Sequence, residues 1–178
     1  MIETVGIIGA GTMGNGIAQV CAAAGVPIVM VDISEQAVAR GLATVGSSLD
    51  RLVKKDKMTA ADKDKALSLI TGTTDKAKLA SCDLVIEAAT ENEELKLKIL
   101  RDLCAGLKPE ALIATNTSSI SITKLATATD RPDRFIGMHF LHPVPLLARL
   151  VQMRGVQTSA ATPAAAAAFA KRLGQGAL

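Results

Sequence analysis

The chain has 178 residues, with 20 Lys and Arg against 17 Asp and Glu for a net charge of +3. So small an excess gives no argument for a nucleic-acid partner, and the apolar stretches are broken by charge or proline well short of the length a bilayer demands, so no membrane span is expected. Hydrophobic residues make up 49%, yet Trp and Tyr are absent and Phe numbers 3, so the core must be aliphatic and alanine-rich, and its size suits one domain.

Met1-Ile2-Glu3 runs straight into an apolar run, Val5-Gly6-Ile7-Ile8, leaving no room for a signal peptide. That run reads as a buried strand and breaks into Gly9-Ala10-Gly11-Thr12-Met13-Gly14, with glycines spaced G-x-G-x-x-G, before a helix predicted over 12–24. Strand, glycines and helix in that order form a dinucleotide fingerprint. Gly9 permits the turn, Gly11 lets backbone N–H groups approach a diphosphate, and Gly14 lets the helix pack closely on the strand. Asp32 stands 18 residues after Gly14, at the end of the second strand Ile28-Val29-Met30-Val31, where a carboxylate can accept from ribose hydroxyls. Ile33, Ser34 and Glu35 follow, so no cation is placed directly after Asp32 for a 2′-phosphate, and the expected cofactor is NAD rather than NADP.

Ser34 caps a long helix with the apolar stripe Val38, Leu42, Val45, Leu49 and Leu52, ending in the basic segment Arg51, Lys54, Lys55 and Lys57. A second helix is predicted over 60–70, and the pair forms a helical insertion after the second strand. A short strand is expected at 71–74, a brief helix after Asp75, a fourth strand at 82–89, and a helix from Asn92 closed by Gly106. Strands follow at 111–115, 134–139 and 149–153, then an Ala-rich helix from Thr162 and Pro163 to Leu173. Alternating strands and helices predict an α/β, doubly wound, mostly parallel sheet, whose ligands sit beyond the carboxyl ends of the strands. Gly9 to Gly14, Asp32, Glu91, Asn116, Ser118 and His139 all lie at those ends. Cys21, Cys82 and Cys104 are far apart in apolar or helical settings, which predicts buried free thiols in a cytoplasmic protein and no metal site.

Gly9-Ala10-Gly11-Thr12-Met13-Gly14-Asn15-Gly16-Ile17-Ala18-Gln19, Asp83-Leu84-Val85-Ile86-Glu87-Ala88, Glu91-Asn92, Asn116-Thr117-Ser118-Ser119-Ile120 and Gly137-Met138-His139-Phe140 together resemble the 3-hydroxyacyl-CoA dehydrogenase family over nearly the whole chain. The resemblance implies a Rossmann fold and reversible oxidation of an L-3-hydroxyacyl-CoA by NAD, with His139 as general base. It implies that Asn116 and Ser118 hold the substrate oxygen and the nicotinamide region, that Glu91 and Lys96 contact NAD, and that His142 stands in the same cofactor region. Ser48 and Lys55, with the adjoining Lys54, match CoA-contacting positions; a solvated basic helix end is the other reading of those residues. A homodimer is implied for the full-length family protein.

Two departures stand out. The family pattern after the catalytic His contains an Asn where this chain has His142, and a Glu that pairs with that His; with one residue apparently inserted, Gln152 takes the Glu position. Gln can accept a hydrogen bond from imidazole but brings no charge. The family also continues into a last sheet strand and a helical C-terminal domain, whereas this sequence stops at Leu178, as a fragment or a short homologue would. A catalytically weak NAD- or CoA-binding module is therefore the alternative to a dehydrogenase.

Overall fold

The apolar runs of the chain line up side by side in one sheet whose faces are both covered. The computed structural model describes residues 1–145, 149–174 and 176–177. Its strands are β1 (Val5–Ile8), β2 (Ile28–Val31), β3 (Ile70–Thr73), β4 (Leu84–Glu87), β5 (Leu112–Thr115), β6 (Phe135–Phe140), β7 (Arg149–Arg154) and β8 (Gly176–Ala177). They lie in the order β3-β2-β1-β4-β5-β6-β7-β8. β1 to β6 are parallel, β7 runs antiparallel to β6, and β8 parallel to β7. The winding reverses direction between β1 and β4, which makes the crevice beyond the carboxyl ends of these two strands the switch point where such sheets take ligands.

The helices are α1 (Thr12–Ala23), α2 (Glu35–Lys54), α3 (Ala60–Ser68), α4 (Glu93–Cys104), α5 (Ile122–Ala126) and α6 (Ala161–Arg172). Side chains alternate along each strand, so the core is split by the sheet. One half joins Ile7, Met30, Ile86, Ala114 and Met138 to Ile17 and Ala18 of α1, Val45 and Leu49 of α2, and Phe169 of α6. The other joins Ile8, Val31, Val85, Ile113 and Phe135 to Leu100 and Leu103 of α4 and Leu125 of α5. Ser34, Thr59 and Asn92 each accept a backbone N–H at the head of their helix, at 3.1, 3.0 and 3.0 Å.

The doubly wound sheet and the helical insertion, α2 with α3, are as the sequence predicts. The brief helix after Asp75 is a 3₁₀ segment, Lys76–Ser81. Two elements were not expected: α5, capped by Ser121, and β8, which extends the sheet beyond β7 after α6. Among the described residues no helix is long and apolar enough to cross a membrane.

Candidate functional site

β1 ends at Ile8 and the chain turns at once. Gly9 turns it at φ +108°, a conformation that L side chains rarely adopt, and a Cβ there would meet the Ala88 carbonyl oxygen at 2.6 Å. Gly14 lies against this turn so closely that its Cβ would stand 1.8 Å from the Gly9 oxygen. Around Gly11, the N-cap of α1, nothing lies within 4 Å of a Cβ position, and no side chain caps the helix. An open cradle of backbone N–H groups at the positive end of a helix dipole fits the diphosphate of a dinucleotide.

Asp32 flanks this cradle. Its Oδ2 accepts the Ala10 N–H at 2.8 Å and its Oδ1 the Ile33 N–H at 2.6 Å, which aims the carboxylate across the loop while leaving lone pairs for ribose hydroxyls. A cleft of about 340 Å³ runs from Asp32 past Gly9, Gly11, Thr12 and Met13 to Glu91, Lys96 and Asn116. Beyond Asp32 a second recess is lined by Ala10, Ala37 and Arg40.

At the other end the walls are tied together by buried polar groups. Lys96 and Glu87, 1% and 0% exposed, form an ion pair at 2.6 Å. Glu87 also accepts the Thr115 hydroxyl at 2.8 Å and the Ala89 N–H at 2.9 Å, so the ends of β4 and β5 and the first turn of α4 are held to one carboxylate. Glu91 Oε2 accepts the hydroxyls of Thr117, at 2.9 Å, and Ser119, at 3.1 Å, fixing the loop after β5.

His139, half-buried near the end of β6, places Nδ1 2.9 Å from the Asn116 carbonyl oxygen. A carbonyl only accepts, so Nδ1 carries a hydrogen, and in the neutral ring the lone pair is then on Nε2. Asn116 is itself held by the Phe140 N–H, which donates to Oδ1 at 2.8 Å, leaving its amino group as the side-chain donor. Ser118 is exposed on the same loop. Across the β6–β7 ladder His139 pairs with Val151, and Gln152 pairs with Met138.

A groove of about 310 Å³ opens between α1, the end of α2 and the loop after β6, lined by Ser48, Arg51, Lys55, Lys57 and His142 among others. Val144 anchors that loop, 2% exposed and lying 3.1 Å from where a Cβ on Gly16 would be. Burial pushes the Cys21 thiol up to about 12 and the Cys82 thiol up to about 11, and it raises that of Cys104, so none is poised as a thiolate nucleophile.

Proteins of known sequence and structure share this doubly wound sheet. Residues 4–178 match the family model for the 3-hydroxyacyl-CoA dehydrogenase, NAD binding domain. The chain belongs to this family. It is 52% identical over 175 residues to a 3-hydroxybutyryl-CoA dehydrogenase of Bradyrhizobium diazoefficiens, covering 98% of this chain and 60% of that protein. The crystal structure of (S)-3-hydroxybutyryl-CoA dehydrogenase from Ralstonia eutropha superposes with a TM-score of 0.99 at 58% identity, over 100% of this chain and 63% of that one. A fatty acid oxidation complex subunit alpha of Pseudomonas putida is 38% identical over 98% of this chain and 24% of that protein. The chain thus spans about three-fifths of the length of its dehydrogenase relatives, 60% and 63% in the two named first. The coenzyme of this domain is NAD.

Within this 3-hydroxyacyl-CoA dehydrogenase domain, Gly9, Gly11, Thr12, Met13, Asp32, Glu91, Lys96 and Asn116 converge on one cleft, and His139 is bonded to Asn116. One expectation needs correction. Gln152 does not face His139: strand side chains alternate, so it lies on the opposite face of the sheet beside Met138, with its Nε2 buried and without a hydrogen-bond partner among the described residues. The stretch in which the inferred insertion would fall includes residues 146–148, outside the described residues. His142, expected in the cofactor region, lines the basic groove with Ser48 and Lys55, while Lys54 is not among the residues lining that groove. Glu87, Thr115 and Arg40 were not singled out from sequence. Glu87 and Thr115 carried one legible signal, polar groups ending strands that are otherwise wholly apolar.

Proposed function

We propose that the protein carrying this chain oxidises L-3-hydroxyacyl-CoA to 3-ketoacyl-CoA reversibly, as an oxidoreductase of fatty-acid metabolism. NAD, when bound, supplies the hydride acceptor. The remaining work belongs to the chain. The loop from Gly9 to Gly14 binds the diphosphate and Asp32 the adenosine ribose, so the nicotinamide half extends over β4 and β5 toward Asn116. His139 Nε2 takes the proton of the substrate hydroxyl as the hydride leaves the same carbon, and returns it in the reverse direction. The Asn116 carbonyl holds the ring in the tautomer that this requires. Ser118 and the Asn116 amino group donate to the substrate oxygen, while Arg51, Lys55 and Lys57, with Ser48 and His142, present a basic groove to the phosphates of CoA.

The observation that carries this reading is the bond from His139 Nδ1 to Asn116, a residue lining the cleft, which leaves Nε2 without a hydrogen-bond partner among the described residues. It also disfavours the weak-binding-module alternative, because the ring is oriented without help from Gln152. Three free thiols support a cytoplasmic location, and a homodimer of the intact protein belongs to the same proposal. The reading is tested by mixing the protein with NADH and acetoacetyl-CoA at stoichiometric concentrations and following NADH absorbance. Oxidation with acetoacetyl-CoA and none with free acetoacetate is expected; equal oxidation with both, or none with either, overturns it.

A further inference from the structure

The ion pair under the cleft has a chemical consequence. Lys96 lines the cleft although it is only 1% exposed, and its ammonium is 2.6 Å from a carboxylate that is fully buried. The pair sits between the carboxyl ends of β4 and β5, on the side of β1 away from Asp32 and toward Asn116 and His139. In the reading above, this is where the nicotinamide half lies. That ring is the part of the coenzyme whose charge changes in the reaction: it is cationic when oxidised and neutral when reduced. A buried ammonium standing alone there would repel the oxidised form selectively, and low dielectric would make the repulsion strong.

We infer that Glu87 is a positioning residue that neutralises Lys96 and thereby sets the preference of the cleft between oxidised and reduced coenzyme. Three groups hold Glu87 in that role. The Ala89 N–H and the Thr115 hydroxyl occupy its oxygens together with Lys96, so the carboxylate stays fixed whichever coenzyme is present. Glu91 is the other acid lining the cleft near this end, and its Oε2 is engaged by Thr117 and Ser119. Those hydroxyls hold Glu91 in place and leave its charge the same in every variant, so a change in the balance around Lys96 reports on Glu87, the carboxylate 2.6 Å from it.

The inference rests on the proposed coenzyme cleft, and its test reads equilibrium binding rather than turnover. Dissociation constants for NAD⁺ and NADH are measured on the wild-type chain and on Glu87→Gln, Lys96→Met, Thr115→Val and the double variant Glu87→Gln/Lys96→Met. Glu87→Gln leaves the ammonium unbalanced and raises the ratio of the NAD⁺ to the NADH constant by on the order of tenfold, the scale of one unit charge about 10 Å away at an effective dielectric of about 20. Lys96→Met leaves the carboxylate unbalanced and moves the ratio the other way, and the double variant returns it to the wild-type value. Thr115→Val loosens the same network without changing charge, so it lowers both affinities alike and leaves the ratio in place. If Glu87→Gln does not fold, Lys96→Met carries the test through the opposite shift. An unmoved ratio in the charge variants, or an equal move in Thr115→Val, overturns the inference. Failure of the wild-type chain to bind either coenzyme overturns the cleft assignment as well.

Discussion

Replacing His139 with glutamine lowers turnover by about 10²–10⁴-fold, the range for losing a positioned general base, while NADH affinity is unchanged. The split follows from the geometry. His139 is bonded to Asn116 and is not part of the glycine cradle, so its loss removes proton transfer and leaves the diphosphate and ribose contacts intact. Gln152→Glu is the matching comparison. A carboxylate at that position lies beside Met138 on the face of the sheet opposite His139. It brings no gain in turnover, and it lowers the melting temperature, because a partly buried charge is added where even the present amide nitrogen has no partner among the described residues. Steady-state kinetics and thermal melts of the two variants check both statements. A rise in turnover for Gln152→Glu would contradict the β6–β7 register.

Gly14→Ala abolishes NADH binding and destabilises the fold by about 1–3 kcal/mol or more, the cost of forcing volume into a packed site. The new methyl would stand 1.8 Å from the Gly9 carbonyl oxygen, and a backbone atom in a tight turn cannot swing aside as a side-chain tip can. The first turn of α1 must lift or the loop must open, and either change dismantles the cradle. Gly11→Ala separates binding from folding, since open space surrounds that position. Its melting temperature stays at the wild-type value, while NADH binding weakens because the methyl occupies room the diphosphate needs. Calorimetric titration and thermal denaturation distinguish the two glycines. A Gly14→Ala protein that melts and binds as wild type would contradict the packing described here.

Much of this site was legible because its signals are local. The run Val5 to Ile8, the glycines that follow it and the carboxylate of Asp32 announce themselves within about thirty residues of chain, and the structure brings them together as their spacing implies. The parts that escaped depend on pairing between distant strands. Glu87 and Thr115 meet Lys96, itself expected at the cofactor, only because β4 and β5 lie side by side and α4 covers that face. Gln152 was assigned to the wrong face for a related reason. Side chains alternate along a strand, so a displacement of one residue sends Gln152 to the far side and brings Val151 opposite His139. His142 follows the end of β6 in a loop whose Val144 packs onto Gly16, a contact without a sequence pattern. α5 is 5 residues long and β8 only 2, too short for periodicity to register.

In the proposed reading, the loop from Gly9 to Gly14 and the Asp32 carboxylate together bind an adenine dinucleotide lacking a 2′-phosphate. Arg40 stands in the recess beyond Asp32, so the balance between ribose recognition and phosphate attraction is open to direct measurement. Calorimetric titration of the folded chain with NADH and with NADPH, repeated on Asp32→Ala, measures it. NADH is expected to bind, NADPH to bind more weakly, and Asp32→Ala to lose on the order of tenfold or more in NADH affinity, the scale for hydrogen bonds to a charged group. No heat with NADH at millimolar concentration, or NADPH bound as tightly as NADH, would contradict it.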